Sequence, residues 1–221
     1  MVVQVKYNSN KSSRTMEGSN QKVEANILLL GAENVGKSAL AVRFLTRRFI
    51  GEYSDIESIY SSSDRIDGRE MSFNIWDSLH PQNCEMDGCI SDKQLQWANG
   101  FILVYSICDR ASFNVVRRQV QRIRQCKSKH AGATAPIVIV GNKRDLKHRR
   151  TVSSEEGTLL ALSSDCGFFE ISAAETYHGV LLVFHELLDL IREAKALRKG
   201  PAGFRGIVRS MSAVFGRRRT E

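Results

Sequence analysis

Apolar positions along this chain fall into short unbroken runs, separated by stretches with helical spacing. "ANILLLG" (25–31) is brief and almost wholly apolar, as a strand buried on both faces should be. "GFILVYSI" (100–107), "PIVIVGNK" (136–143) and "FFEISA" (168–173) predict three more strands. Leu40, Ala41, Phe44, Leu45 and Phe49 recur at helical spacing after Lys37. Further helices are predicted over 110–127, 153–165 and 178–197, with Ser153 or Ser154 as a cap ahead of Glu155 and Glu156. "SIYSSSDRI" (58–66) and "REMSFNIWD" (69–77) flank an Asp-Gly turn and read as a hairpin. Alternating strands and helices with one hairpin predict an α/β fold: a six-stranded, mostly parallel sheet with one antiparallel edge strand and helices on both faces. Ligands of such sheets lie at the carboxyl ends of the strands, so the informative residues are expected there.

Composition and charge narrow the picture. The 221 residues suit one domain over 23–197, between a polar N-terminal tail (1–22) and a basic C-terminal tail (198–221). No run of 18 apolar residues occurs, and the N-terminal stretch lacks the apolar centre of a signal peptide. The five cysteines, Cys84, Cys89, Cys108, Cys126 and Cys166, are odd in number and form no CxxC pair. That argues against a disulfide framework or zinc site and fits a cytoplasmic protein. Of the net charge of +8, eight basic residues and one acid fall in 195–221. The excess thus belongs to the tail, and a specific nucleic-acid-binding domain is not expected.

The chemistry follows the strands. Gly31, Gly36, Lys37 and Ser38 have the spacing of a phosphate-binding loop between a strand and a helix. In such a loop Gly31, Ala32, Glu33, Asn34, Val35 and Gly36 turn backbone N–H groups toward phosphate oxygens. Lys37 reaches the β- and γ-phosphates, and Ser38 offers a hydroxyl to Mg²⁺. The helix N-terminus adds its positive dipole. "NKRD" (142–145) ends a later strand, and a carboxylate such as Asp145 can accept both N–H donors of a guanine edge, which adenine lacks. "SAA", Ser172 to Ala174, ends the last strand.

"GAENVGKSAL", "RFIGEY", "NIWD", "NKRDL" and "EISAAE" stand in the order and spacing of the Ras superfamily of small GTPases, which the chain resembles over about residues 23–195. Within it the chain looks like the branch of the Ras-related, estrogen-regulated growth inhibitor. The resemblance implies GTP or GDP as ligand with Mg²⁺. It implies that Phe49 stacks on the guanine, that Asn142 and Asp145 read it, and that Lys143 packs over it. The Ala173 N–H would meet the base carbonyl, with Ser172 and Ala174 beside it. Asp77 would join Ser38 in supporting the metal.

The departures from that family cluster at the γ-phosphate. The first switch carries a metal-ligating threonine in Ras-like proteins, but "EYSDIESIY" (52–60) has none. Ile56 is nearest the expected place, and Ser54 or Ser58 would substitute only if the loop shifts. The second switch normally reads Asp-x-x-Gly-Gln, whereas here Asp77 is followed by His80 in the glycine position and Pro81 in the glutamine position. Pro81 has neither amide side chain nor N–H. Gln82 is one residue out of register, and His80 is a weak alternative base. Glu33 stands where the family commonly has glycine, beside the path of an incoming arginine finger.

The expectation is therefore a guanine-nucleotide switch with slow hydrolysis. The rival is a nucleotide-locked or nucleotide-free scaffold that works through protein partners. No cysteine follows Cys166, so no prenylated C-a-a-X box is expected. Phe204, Ile207, Val208, Met211, Val214 and Phe215 recur at helical spacing among arginines. That pattern suits an anionic membrane surface, a calmodulin-like partner or a nuclear address. Effector and exchange proteins are implied but not identified.

Overall fold

The computed structural model describes residues 3–6, 23–53, 56–66, 69–79, 90–131 and 135–199. The elements in chain order are β1 (Val3–Lys6), β2 (Val23–Leu30), α1 (Lys37–Thr46), β3 (Ser58–Ile66), β4 (Arg69–Asp77), α2 (Asp92–Trp97), β5 (Gly100–Ser106), α3 (Arg110–Ala131), β6 (Ile137–Asn142), α4 (Ser154–Ser163), β7 (Gly167–Glu170) and α5 (Tyr177–Lys199). A 3₁₀ turn spans Arg144–Arg149.

Strands β2 to β7 make the expected six-stranded sheet, ordered β3-β4-β2-β5-β6-β7. β3 runs antiparallel to β4, and the remaining neighbours are parallel. The hairpin pairs Ser58 with Asp77 and Ile66 with Arg69, so the Asp-Gly reading sets its register correctly. Every residue of β5 and β6 is buried, which explains their continuous apolar sequence.

Side chains of β2 alternate between two cores. Ala25, Ile27 and Leu29 face α1 and α5, packing with Leu40, Phe44 and Phe184. Leu28 and Leu30 face α2, α3 and α4, packing with Leu95, Phe113 and Ala161. The rings of Phe44 and Phe184 stack with centroids 4.1 Å apart, clamping α1 to α5.

Some boundaries differ from expectation for local reasons. Helix α1 stops at Thr46 because Arg47 turns left-handed (φ 62) and its N–H closes on the Arg43 carbonyl. Helix α4 begins after Ser153, whose side chain accepts from Glu156 N while Glu156 caps Ser153 N in return. The last strand ends at Glu170 rather than Ala173, because Ser172 and Ala173 are drawn into contacts with Asp145 and Asn142. Two elements were not expected. Helix α2 is a single capped turn, and Val3–Lys6, within the N-terminal segment read as a tail, forms a seventh strand parallel to β3. Among the described residues no helix is long and apolar enough to cross a membrane.

Candidate functional site

A cleft of about 810 Å³ opens at the carboxyl ends of β2, β4, β6 and β7. Its walls come from five chain segments. Residues of 33–39 form one end, and Asn142, Lys143, Asp145 and Leu146 with Ser172–Ala174 form the other. Phe49, Gly51, Glu52, Tyr53 and Ile56 close one side, and Asp77, Ser78 and Leu79 the floor.

The phosphate loop is shaped by close packing. Gly31 has φ 142, and a Cβ there would lie 2.1 Å from the Val104 carbonyl oxygen, which no side chain can tolerate. Gly36 has φ 98, and a Cβ there would lie 2.4 Å from Asn142 Nδ2. Between them the chain wraps around Lys37, whose Nζ donates to the carbonyls of Gly31 (3.1 Å) and Ala32 (2.8 Å). This holds a buried ammonium at the mouth of the loop. Gly36 supplies no side-chain cap to α1, so the N–H groups of its first turn remain available to an anion. Of the predicted phosphate residues, Glu33, Asn34, Gly36, Lys37 and Ser38 line the cleft. Gly31 and Val35 are buried beneath it, and Ala32 packs against the core.

Asn142 joins the two ends. Its Nδ2 donates to the Val35 carbonyl at 2.8 Å, and its Oδ1 accepts from Ala173 N at 3.1 Å. Three loops, from β2, β6 and β7, are thus tied through one side chain that is 2% exposed. Lys143 next to it adopts a left-handed conformation (φ 65), a turn that brings Asp145 back over the cleft. The Ser172 hydroxyl donates to Asp145 Oδ1 at 2.7 Å and accepts from Glu175 N at 3.2 Å. One carboxylate oxygen is thereby fixed and the group is oriented. Phe49 is 42% exposed at the rim, with Tyr53 edge-on at 6.2 Å.

Asp77 ends β4 on the floor and is 4% exposed. Burial pushes its carboxyl above the usual carboxylate range. A hydrogen bond from Ser38 and the charge of Lys37 pull it back down, and Glu57 raises it further. Glu57 is held by a neighbour that the sequence reading missed: Trp76 Nε1 donates to Glu57 Oε1 at 2.7 Å. Trp97 meets Trp76 edge-on at 5.1 Å.

The first-switch departure is visible in the site. Ile56 lines the cleft at 50% exposure and offers only alkyl surface there. The Ser58 hydroxyl donates to the Ile56 carbonyl at 3.2 Å and is not among the lining groups. Ser54, His80, Pro81 and Gln82 lie outside the described residues, as does the tail beyond Lys199. Among the described residues, Cys108, Cys126 and Cys166 are half-buried and form no disulfide.

Comparison with known proteins agrees with this geometry. The sequence profile of the Ras family matches residues 26–193. The chain is 39% identical over 202 residues to the Ras-related and estrogen-regulated growth inhibitor-like protein of Bos taurus, covering 89% of this chain and 98% of that one. It is 39% identical over 186 residues to the human protein of that name, covering 82% and 90%. It is 38% identical over 171 residues to Ras-like protein family member 11B of Danio rerio, covering 75% and 69%. With a family match that runs from β2 to α5 and takes in the cleft, the chain belongs to the Ras family.

Proposed function

We propose that the cleft binds a guanine nucleotide with Mg²⁺, and that the chain acts as a signalling switch that hydrolyses GTP slowly. The observation that carries this reading is the Asn142 bridge. It holds an anion-binding loop and an oriented carboxylate at opposite ends of one cleft. Lys37 and the N-terminus of α1 suit the phosphates. Asp145, positioned by Ser172, suits the paired N–H donors of guanine, a charge-assisted recognition of about 1.5–3 kcal/mol per bond. Lys143 and Phe49 flank the base position.

The residues fit a magnesium ion. Ser38 and Asp77 are hard oxygen donors beside the phosphate loop, and a buried carboxylate with a raised pKa is relieved by a nearby cation. Bound there, Mg²⁺ neutralises charge on the phosphate oxygens. The remaining work falls to the chain: Lys37 holds the phosphates, and Ser38 keeps the Asp77 carboxylate in place.

Slow turnover follows from what the γ-phosphate end presents. Ile56 adds no ligand, the Ser58 hydroxyl is engaged with a backbone carbonyl, and Glu33 places an exposed carboxylate on the rim. Pro81 in the sequence brings no group to orient water. Extraction of nucleotide from the purified full chain tests the binding reading, with near-stoichiometric GDP or GTP expected. Adenine nucleotide, or no nucleotide together with no uptake of GDP, would overturn it. Single-turnover phosphate release tests the rate. Release as fast as from an ordinary Ras-family domain would overturn slow hydrolysis.

A further inference from the structure

We propose that the exposed face of α3 docks an acidic helical segment of a partner protein. The proposal stands apart from the nucleotide reading. Helix α3 packs on the face of the sheet opposite α1 and α5 and lends no residue to the cleft.

Lys and Arg occur seven times in α3, and Asp and Glu not at all. Two of these cations are committed to the fold. Arg110 pairs with Glu156 on α4, and Arg124 donates to the carbonyls of Ala135 (2.7 Å), Ser164 (3.0 Å) and Asp165 (2.7 Å). Arg117 and Arg118 are exposed and Arg122 is half-buried. Among the described residues none of these three has a carboxylate partner.

That arrangement works against the helix itself. Arg118 and Arg122 lie four residues apart on one side and repel, and Arg117 adjoins them. The packing of α3 does not call for them, since Phe113, Val116, Val120 and Ile123 make its core contacts. A face that weakens the free chain and adds nothing to its core fits opposite charge supplied from outside.

The shape of the face selects the partner. Asn114, Arg118, Gln121 and Gln125 are all exposed, at spacings of four, three and four, and so form one line about 16 Å long. Arg117 flanks the line on one side and Arg122 on the other. Amides along the middle with cations at the margins match a second helix laid alongside, with carboxylates at its edges. Carboxylates also suit the arginine fork, which they meet in bidentate pairs. The charged strip is one helix wide: Asp92 on α2 and Glu155 on α4, helices packed on the same face of the sheet, are exposed. A bilayer or a nucleic-acid duplex is broad enough to meet those carboxylates too, whereas a single helix is not. Among the described residues of α3, no large apolar side chain is exposed to enter a bilayer.

The test measures binding of a dye-labelled helical peptide to the full chain by fluorescence anisotropy. The peptide has three heptads, with glutamate at e and g and alanine at a and d. Arg117→Gln/Arg118→Gln/Arg122→Gln removes three charges from α3. Arg217→Gln/Arg218→Gln/Arg219→Gln removes three from the C-terminal segment and leaves the same net charge. The α3 variant should bind the peptide at least tenfold more weakly, and the C-terminal variant within threefold of the unaltered chain. The Tm of the α3 variant should match or exceed that of the unaltered chain, because glutamine keeps helix propensity and removes the repulsion. Equal losses in the two variants, or no binding at millimolar peptide in low salt, would overturn the proposal. A clearly lowered Tm would also overturn it, by assigning the arginines to the fold. Loss of binding to phosphatidylserine-rich vesicles or to duplex DNA in the α3 variant, with peptide binding retained, would give the face to those surfaces instead.

Discussion

Asn142 Nδ2 donates to the carbonyl of Val35 at 2.8 Å, joining residues 107 positions apart in the chain. This one amide links the loop after β6 to the loop after β2, and through Ala173 N it reaches the loop after β7. The two ends of the cleft are therefore one mechanical unit.

Replacement of Asn142 by Ala should cost on the order of 3 kcal/mol, since it strands a buried carbonyl at Val35 and a buried N–H at Ala173. Chemical denaturation of the nucleotide-free chain measures this directly. Nucleotide dissociation should also speed up at both the phosphate and base ends. A loss below about 0.5 kcal/mol, the range of ordinary surface changes, would show that the bridge is not structural.

Asp77→Asn should separate stability from metal dependence. Burial makes the Asp77 charge costly in the empty protein, so the amide should raise its Tm. The same variant should retain GDP no better in millimolar Mg²⁺ than in chelator, whereas the unaltered chain should release it faster in chelator. A lowered Tm would mean that Ser38 and Lys37 already compensate the carboxylate fully.

Acid should act through helix α4. Glu156 lies beside Arg110, whose hydrogen bond, aided by the Ser153 N–H, lowers its pKa from the ordinary 4.5 to about 2. A depressed folded pKa contributes stability above the ordinary value, and that contribution disappears as pH falls from about 4.5 to about 2. The unaltered chain should therefore have a higher Tm than Glu156→Gln at pH 6, with the gap closing as pH approaches 2. A gap independent of pH would assign the effect to shape rather than charge.

Glu33→Gly probes the rim of the phosphate loop. Glu33 is exposed, so its charge contact is worth about 0.2–1 kcal/mol at most. GDP affinity should shift by less than about fivefold, and GTP should gain more than GDP because its extra charge lies at that end. A tenfold change for GDP in a competition assay would place Glu33 inside the phosphate contacts rather than beside them.

Much of this architecture is visible in the sequence because burial leaves simple marks. β5, β6 and the second half of β2 (27–30) are buried on both faces and read as apolar runs. The Asp-Gly pair set the hairpin register correctly. Helix α2 was missed because a single turn has no periodicity to read, although Ser91 and Gln94 carry a capping-box signature. β1 was missed because four residues of "VQVK" look like any polar segment until β3 offers an edge. In the site, residue positions were legible from strand ends, but several roles were not. The joining role of Asn142 depends on a carbonyl at Val35, and carbonyls leave no trace in sequence. The Trp76–Glu57 bond likewise exists only once β4 and the start of β3 lie side by side.

The edge-on contact of Trp76 and Trp97 has an optical consequence. The chain contains two tryptophans, and the fold brings both to one spot, with Trp76 next to Asp77 in the chain. Their emission and their coupled near-ultraviolet dichroism report from a single place. A rearrangement at the end of β4 can thus be followed by light on the unlabelled protein, with no background from indoles elsewhere.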